Sequence, residues 1–333
     1  GGAPPRGMLR EERNDPTTPL RERLVEVAET ARRLATLGGE TLLASLRARD
    51  LEVQFKGADL ANPVSAVDEA IEDELRDILA RRFPDHGVIG EERGATPGAA
   101  SGFTWALDPI DGTTNFVRRY PLFSSSVGVL YDGVPVAGAV WCSATPLCRP
   151  GVYHVHDGQV YLDDEPADAW SRGSKRRLVG DVGPPRRRAA YDRRVSGSAA
   201  IECVLVAARV LDAARFRRLW IWDVAGGLAL VRAAGIPAWT QGRGRGWIPF
   251  ERFEPPARPR SGREPAMTTS GCGASPAMAR PTIEITAQAR RVRTAPSLSR
   301  TPSPAKRSAA IVAEKAPNAK PDWVIVPPRS SIR

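Results

Sequence analysis

Apolar residues recur with a helical period near the start of the chain. From Leu20 onward, Leu24, Val27, Ala28, Ala31, Leu34 and Ala35 share a face, and Leu42, Leu43 and Leu46 continue it past a weak point at Gly38-Gly39. Ser65 opens an S-x-x-D capping box with Asp68, and Val67, Ile71, Leu75 and Ile78 form the stripe of a second helix. The period then shortens. Val88-Ile89 leads into Glu91, and the run FTWAL leads into Asp108. The segment SSSVGVLYDGVPVAGAVW, 124–141, predicts a hairpin about Asp132-Gly133, and VYHVHDGQVYL predicts another about Asp157-Gly158. Residues 171–194 are basic, contain proline and lack a pattern, which predicts a surface loop or a damaged element. Ser198 then caps an apolar helix, AAIECVLVAARVL, and a last helix runs from about Asp223 to Ala234 with Gly235 as its stop.

Past residue 256 the periodicity fades. The last 77 residues contain 11 prolines and 9 serines, and their apolar pieces (TIEIT, SAAIVA, WVIV) are too short for a core. Three regions follow: a flexible N-terminus over 1–19, a folded α/β domain over 20–256, and a disordered Pro/Arg/Ser-rich tail over 257–333.

Charge sharpens this division. The net +10 of the chain lies wholly in residues 257–333, with 14 Lys+Arg against 4 Asp+Glu, while residues 1–256 carry 34 of each sign. The folded part therefore gives no reason to expect a nucleic-acid partner, and only the tail could act as a polyanion-binding arm. No apolar run is long enough to span a membrane, and no basic-then-apolar leader is visible, so the expected location is cytoplasmic. Cys142, Cys148, Cys203 and Cys272 form no CxxC pair and predict reduced thiols. His154 and His156 share a face of a predicted strand. Without a third ligand they read as a solvated hairpin face.

The densest chemistry is WALDPIDGTTNF, residues 105–116. Asp108 and Asp111 follow a strand-like run, where ligands gather in layered α/β proteins. Two carboxylates this close repel each other unless a cation lies between them, and hard oxygen ligands suit Mg²⁺. Gly112 and Thr113 can offer backbone N–H groups to an anion. A metal beside an anion pocket reads as phosphate chemistry. The i, i+3 spacing excludes an EF-hand, which needs acids at alternate positions, and an aspartyl-phosphate phosphatase, which needs them at i and i+2. As turn chemistry alone, D-x-x-D-G would also be unremarked.

Upstream lies GEE at 90–92, and downstream lie GSAA at 197–200 and WDVAGG at 222–227. In this order and at these separations, the four pieces resemble the inositol monophosphatase family of Mg²⁺-dependent, Li⁺-sensitive phosphatases, over roughly residues 20–255. The resemblance implies a layered αβαβα sandwich of the sugar-phosphatase type, in the α/β class. It implies hydrolysis of a small phosphate monoester by metal-activated water, two or three Mg²⁺ ions, no covalent phosphoenzyme, and a homodimer.

By the same resemblance Glu91 ligates metal and orients the attacking water, although alone it would read as a surface acid. Asp108, Asp111 and the Ile110 carbonyl bind metal, and Asp111 touches two ions or the substrate. The Thr113 hydroxyl, paired with Glu91, holds the water. Gly112 and Thr113 hold phosphate oxygens. Asp223 is the distal metal ligand, or else an N-cap of the last helix. Gly197, Ser198 and Ala199 face substrate hydroxyls, or Ser198 is only a cap. Asp68 is either the third residue of its capping box, or it stands beside the Thr–water pair or binds a third ion. Lys56 could be a basic partner of this group. Inositol-preferring members carry an acid seven residues before the Asp of the WD motif, where this chain has Phe216 among Arg215, Arg217 and Arg218. Histidinol phosphate, fructose 1,6-bisphosphate or a phosphoadenosine nucleotide are therefore alternatives to inositol monophosphate. By this comparison the strands that should follow WDVAGG are lost in the run into the tail. A catalytically weak binding or regulatory protein is the rival from another class.

Overall fold

The computed structural model describes residues 20–47, 53–55, 63–99, 101–170, 176–181, 191–217, 219–241, 246–253 and 282–286. The chain opens with α1 (Leu20–Arg47), a short antiparallel pair β1 (Val53–Phe55) and β2 (Pro63–Ser65), and α2 (Ala66–Arg82). Then come β3 (Gly87–Gly90), β4 (Gly94–Thr96), β5 (Phe103–Asp111), the one-turn α3 (Thr113–Val117), β6 (Ser124–Tyr131) and β7 (Val134–Cys142). After these follow β8 (Gly151–His156), β9 (Gln159–Leu162), β10 (Glu165–Pro166), β11 (Arg177–Asp181), β12 (Tyr191–Arg194), α4 (Ala199–Ala207), β13 (Ala213–Phe216) and α5 (Ile221–Ala233). The described chain ends with β14 (Ala238–Gln241), β15 (Trp247–Pro249) and β16 (Thr282–Thr286).

Eight strands form one sheet in the order β10-β9-β8-β7-β6-β5-β3-β4, and six form a second in the order β12-β11-β13-β16-β14-β15. One core joins α1 and α2 to the outer face of the first sheet through Val27, Leu34, Leu75, Trp105 and Trp141. The other fills the space between the sheets around α4 and α5, with Ile201, Val204, Leu230 and Val231 at its centre. Among the described residues the layers are thus helix, sheet, helix, sheet, and the mixed α/β sandwich expected from the sequence is observed.

Both Asp-Gly hairpins form as expected: Asp132 and Gly133, and Asp157 and Gly158, all take positive φ, as a tight two-residue turn requires. The pair Gly38-Gly39 is not a weak point. The helix runs through it because two layers touch there: a Cβ on Gly39 would lie 1.9 Å from Trp141 Cδ2, and one on Gly38 would lie 2.3 Å from Ser125 Oγ. The glycines of WDVAGG act similarly, since a Cβ on Gly226 would lie 2.6 Å from Ser126 Oγ and one on Gly227 would lie 2.3 Å from Cys203 Cβ.

Three further expectations change. Within 171–194, residues 177–181 and 191–194 form the parallel strands β11 and β12 rather than a loop. Pairing overrides the weak local pattern, helped by Leu178 N–H donating to Asp212 Oδ2 at 2.8 Å and Asp212 N–H donating to Leu178 O at 2.8 Å. The strands after WDVAGG are present as β14 and β15. The fold also takes a strand from beyond residue 256: TIEIT is β16, paired antiparallel with both β13 and β14. Ile283 and Ile285 are fully buried, so the short alternating run completes a core it could not form alone.

Cys142 and Cys203 are buried free thiols and Cys148 is an exposed one. Cys272 and Lys56 lie outside the described residues. Among the described residues, no helix is long and apolar enough to cross a membrane.

Candidate functional site

The site forms where several elements end together. The run FTWAL makes β5 a buried strand, and β3 lies parallel to it, with Gly90 opposite Leu107. Parallel strands finish on the same side, so Glu91 and Asp108 emerge as neighbours. Against β6, Asp108 pairs with Ser126 and Asp111 with Ser124, so β5 carries one extra residue between them. This bulge turns the Asp-Pro-Ile-Asp segment out of the ladder. The Ile110 side chain goes into the core, which leaves its carbonyl toward the turn. Gly112 follows at φ +92° and starts α3; a Cβ there would be strained and would meet Leu122 O at 3.2 Å.

Asp111 is held by the N-terminus of α4. Its Oδ2 accepts from Ser198 Oγ at 2.6 Å and from Ala200 N–H at 2.6 Å, and its Oδ1 accepts from Ala199 N–H at 3.3 Å. Ser124 Oγ adds a longer bond at 3.4 Å and lies 3.0 Å from Ser198 Oγ. Ser198 also caps α4 as expected, its Oγ accepting from Ile201 N–H. Within the 197–199 turn the Ser198 hydroxyl and the Ala199 N–H thus go to Asp111, while Ser198 N–H donates to Ser196 Oγ at 3.1 Å. Asp223 is not the N-cap of α5: Trp220 holds that position, and Asp223 is the third helical residue, its Oδ2 accepting from Trp220 N–H at 2.7 Å as the reciprocal arm of a capping box. The Thr113 hydroxyl donates to Ile110 O at 3.0 Å. Asp68 is the buried third residue of α2, as its capping position predicts.

Asp108 has no such support. It is 2% exposed, and its Oδ1 is buried with no hydrogen-bond partner. Burial holds its carboxyl well above the usual carboxylate range, and the charges of Glu91, Asp111, Asp223 and Asp68 push it further the same way. These four are the acids singled out from the sequence, gathered from four elements around one buried carboxylate. Burial also raises Asp111, against the opposing hydrogen bonds from Ser198, Ala200, Ala199 and Ser124. A cation would relieve both. The donors are all oxygens, which fits a hard divalent ion of the Mg²⁺ type. Among the described residues, no three His, Cys, Asp or Glu side chains already converge as a finished cage. The carboxylates of Asp111 and Asp223 each accept from backbone N–H groups.

A cavity of about 340 Å³ opens on this cluster. Glu91, Asp108, Ile110, Asp111, Gly112, Thr113, Gly197, Ser198, Ala199 and Asp223 all line it, which brings together every described residue singled out for the site except Asp68. Phe216, Arg217, Leu219 and Glu202 line it too. Sequence reasoning left three structural members unassigned. Asn115 Nδ2 donates to Leu122 O and to Ser196 O, at 2.6 and 2.9 Å, tying the DGTTNF turn to the 196–199 turn. Glu202 Oε1 accepts from Ser196 N–H and Oγ, at 3.0 and 2.9 Å. Glu72 holds the turn that carries Glu91. Only Asn115 had a signal, its place inside the motif.

His154 and His156 do share a face, about the Tyr161 ring. His154 is buried rather than solvated, with Nε2 2.7 Å from the Asp163 carbonyl, so only His156 keeps the solvated position expected of the pair.

The sequence and fold have known counterparts. A match to phosphatase IMPL1, a chloroplastic protein of Arabidopsis thaliana, is 31% identical and covers 64% of this chain but only 61% of the plant protein. The fructose-1,6-bisphosphatase/inositol-1-monophosphatase of Aquifex aeolicus is 27% identical, covering 64% of this chain and 85% of that protein. The solved inositol monophosphatase of Anabaena superposes with a TM-score of 0.52 at 26% identity, over 66% of this chain and 85% of its own. The profile of the inositol monophosphatase family matches residues 23–255, and the chain belongs to that family of phosphatases.

Proposed function

We propose that this chain hydrolyses a small phosphate monoester with the help of Mg²⁺ held by Glu91, Asp108, Asp111, Asp223 and the Ile110 carbonyl. One observation carries the reading: Asp108, buried with an orphan oxygen, stands among Glu91, Asp111, Asp223 and Asp68. When bound, the cation supplies charge neutralisation and lowers the pKa of water at the site. The protein does the rest. Glu91 and Thr113 face the cavity and orient a water, with Thr113 exchanging its bond to Ile110 O for that role. The N–H groups of Gly112 and Thr113 receive phosphate oxygens. Asp111 keeps its place through Ser198 and Ala200, so the cluster is organised before substrate arrives.

The alcohol end of the ester faces Phe216, Leu219 and Arg217. The buried Phe216 offers no acceptor for ring hydroxyls, and the exposed Arg217 favours an ester with further negative charge. Among the candidates, fructose 1,6-bisphosphate and a phosphoadenosine nucleotide suit this wall better than inositol 1-phosphate or the cationic histidinol phosphate. The bisphosphate also stands in the Aquifex relative's name.

The test is phosphate release from these four esters, with and without Mg²⁺, by wild type and Asp111→Asn. Mg²⁺-dependent turnover reduced at least 100-fold in the variant is expected. A folded, Mg²⁺-saturated wild type that turns over none of them refutes the catalytic reading in favour of a binding protein.

A further inference from the structure

We propose that Glu72 is a positioning residue for Glu91, a role that rests on the metal-site reading above for its chemical meaning. Glu72 lies on α2 and is fully buried. Its Oε2 accepts from Glu92 N–H at 2.7 Å, and its Oε1 accepts from Arg93 N–H at 3.1 Å and from Arg76 Nε at 2.7 Å. A Cβ on Gly90 would lie 2.3 Å from Glu72 Oε1, so the end of β3 is wrapped directly around this carboxylate. Glu91 is the residue between Gly90 and Glu92. Its backbone is therefore held by two hydrogen bonds on its C-terminal side and packed closely on its N-terminal side, all by one side chain from another element.

Arg76 completes the grip, with its guanidinium also donating to Gly94 O and, at 3.1 Å, to Thr96 Oγ1. A buried Glu–Arg pair could serve packing alone. Two of the three donors are backbone N–H groups of the turn that carries Glu91, and that directs the carboxylate to the site. Glutamine keeps the length and shape of Glu72 but presents an NH₂ where one of the three donors must be accepted. Glu72→Gln thus loosens the turn without emptying the space.

Partners that orient a metal ligand typically change affinity by about 10–100-fold when altered. Glu72→Gln is expected to weaken Mg²⁺ binding, read by calorimetric titration, by at least 10-fold, and to raise the Mg²⁺ concentration for half-maximal phosphate release in parallel. Turnover at saturating Mg²⁺ is expected to change much less. Amide exchange at Glu92 and Arg93 should quicken while that of β5 stays slow. Arg76→Ala, which spares the two backbone bonds, is expected to alter Mg²⁺ affinity less than Glu72→Gln. Wild-type Mg²⁺ affinity and unchanged exchange at Glu92 and Arg93 in Glu72→Gln would overturn the proposal. A wild type that binds no Mg²⁺ would refute the metal reading, while exchange at these two amides would still judge the positioning. Should Glu72→Gln not fold, Gly90→Ala displaces the same carboxylate and is expected to weaken Mg²⁺ binding likewise; a folded Gly90→Ala with wild-type affinity overturns the role.

Discussion

Asp108→Asn should make the cation-free protein more stable and the Mg²⁺-loaded protein inactive. In the wild type a carboxylate with 2% exposure keeps one oxygen without a partner and faces the charges of Glu91, Asp111, Asp223 and Asp68. An orphaned buried polar group costs about 1–3 kcal/mol. The amide removes the charge at nearly constant volume, and its NH₂ can donate to the carboxylates that the native group repels. A gain of about 2 kcal/mol is expected, which for a domain of this size raises the thermal midpoint by roughly 4–8 °C. Mg²⁺ reverses the order. At about 100 times its dissociation constant a ligand adds about 2.7 kcal/mol to the state that binds it, and only the wild type should receive this in full. The assay is thermal unfolding of both proteins in chelator and in saturating Mg²⁺, with phosphate release alongside. The pH dependence carries a further check. A carboxyl whose folded pKa is raised stabilises the fold while protonated, so in chelator the wild type should lose stability as pH rises from about 4. Asp108→Asn should lose less. If the variant in chelator is less stable than wild type, and gains as much from Mg²⁺, the charge cluster is not what the site is built on.

Two other perturbations test the frame around the site. His86 is sandwiched between Phe83 and Phe103, its Nδ1 accepts from Trp105 Nε1 at 3.0 Å, and burial pushes its pKa down to about 4. A depressed histidine contributes stability above its unfolded value near 6.5 that is lost as pH falls toward 4. Unfolding midpoints across that window should therefore fall less steeply in His86→Phe, which should also be less stable at pH 7 by about 1–3 kcal/mol for the orphaned indole N–H. Ile283→Ala removes a fully buried side chain of β16 and should cost about 3 kcal/mol in denaturant unfolding, a value typical of a core truncation. An effect below about 0.5 kcal/mol would mean that β16 is not part of the stable second sheet.

The parts of the site that could be read from sequence are those whose meaning is local. Asp108, Asp111, Gly112 and Thr113 sit on one bulge and one turn, so their spacing already carried their geometry. The hairpins were legible for the same reason, because Asp-Gly sets the turn and the alternation sets the faces. What escaped was whatever depends on a distant partner. Nothing in the sequence singles out Glu72 and Arg76, and only the packing of α2 against the 90–96 turn reveals a buried carboxylate. TIEIT looks like a fragment in a proline-rich stretch, and it becomes a strand because β13 and β14 leave a place between them. Gly38-Gly39 reads as a weak point of the helix until Trp141 and Ser125 are seen against it.

The same contrast explains how the fold tolerates its site. Five carboxylates brought together would push the surrounding elements apart, and each one that is supported is supported by a different element. The α4 N-terminus holds Asp111, the Trp220 N–H holds Asp223, and Glu72 on α2 holds the backbone around Glu91. None of these donors lies within the motif of the acid's own strand. The motif supplies the chemistry, whereas the separation of the charges comes from residues up to 89 positions away, as between Asp111 and Ala200. Among the described residues Asp108 Oδ1 is left without such a donor, on the strand residue around which the others are arranged. An acid placed there lowers the stability of the empty protein and raises its affinity for a cation by the same interactions. Stability and function at this position are therefore coupled with opposite sign, and a substitution that improves one is expected to remove the other.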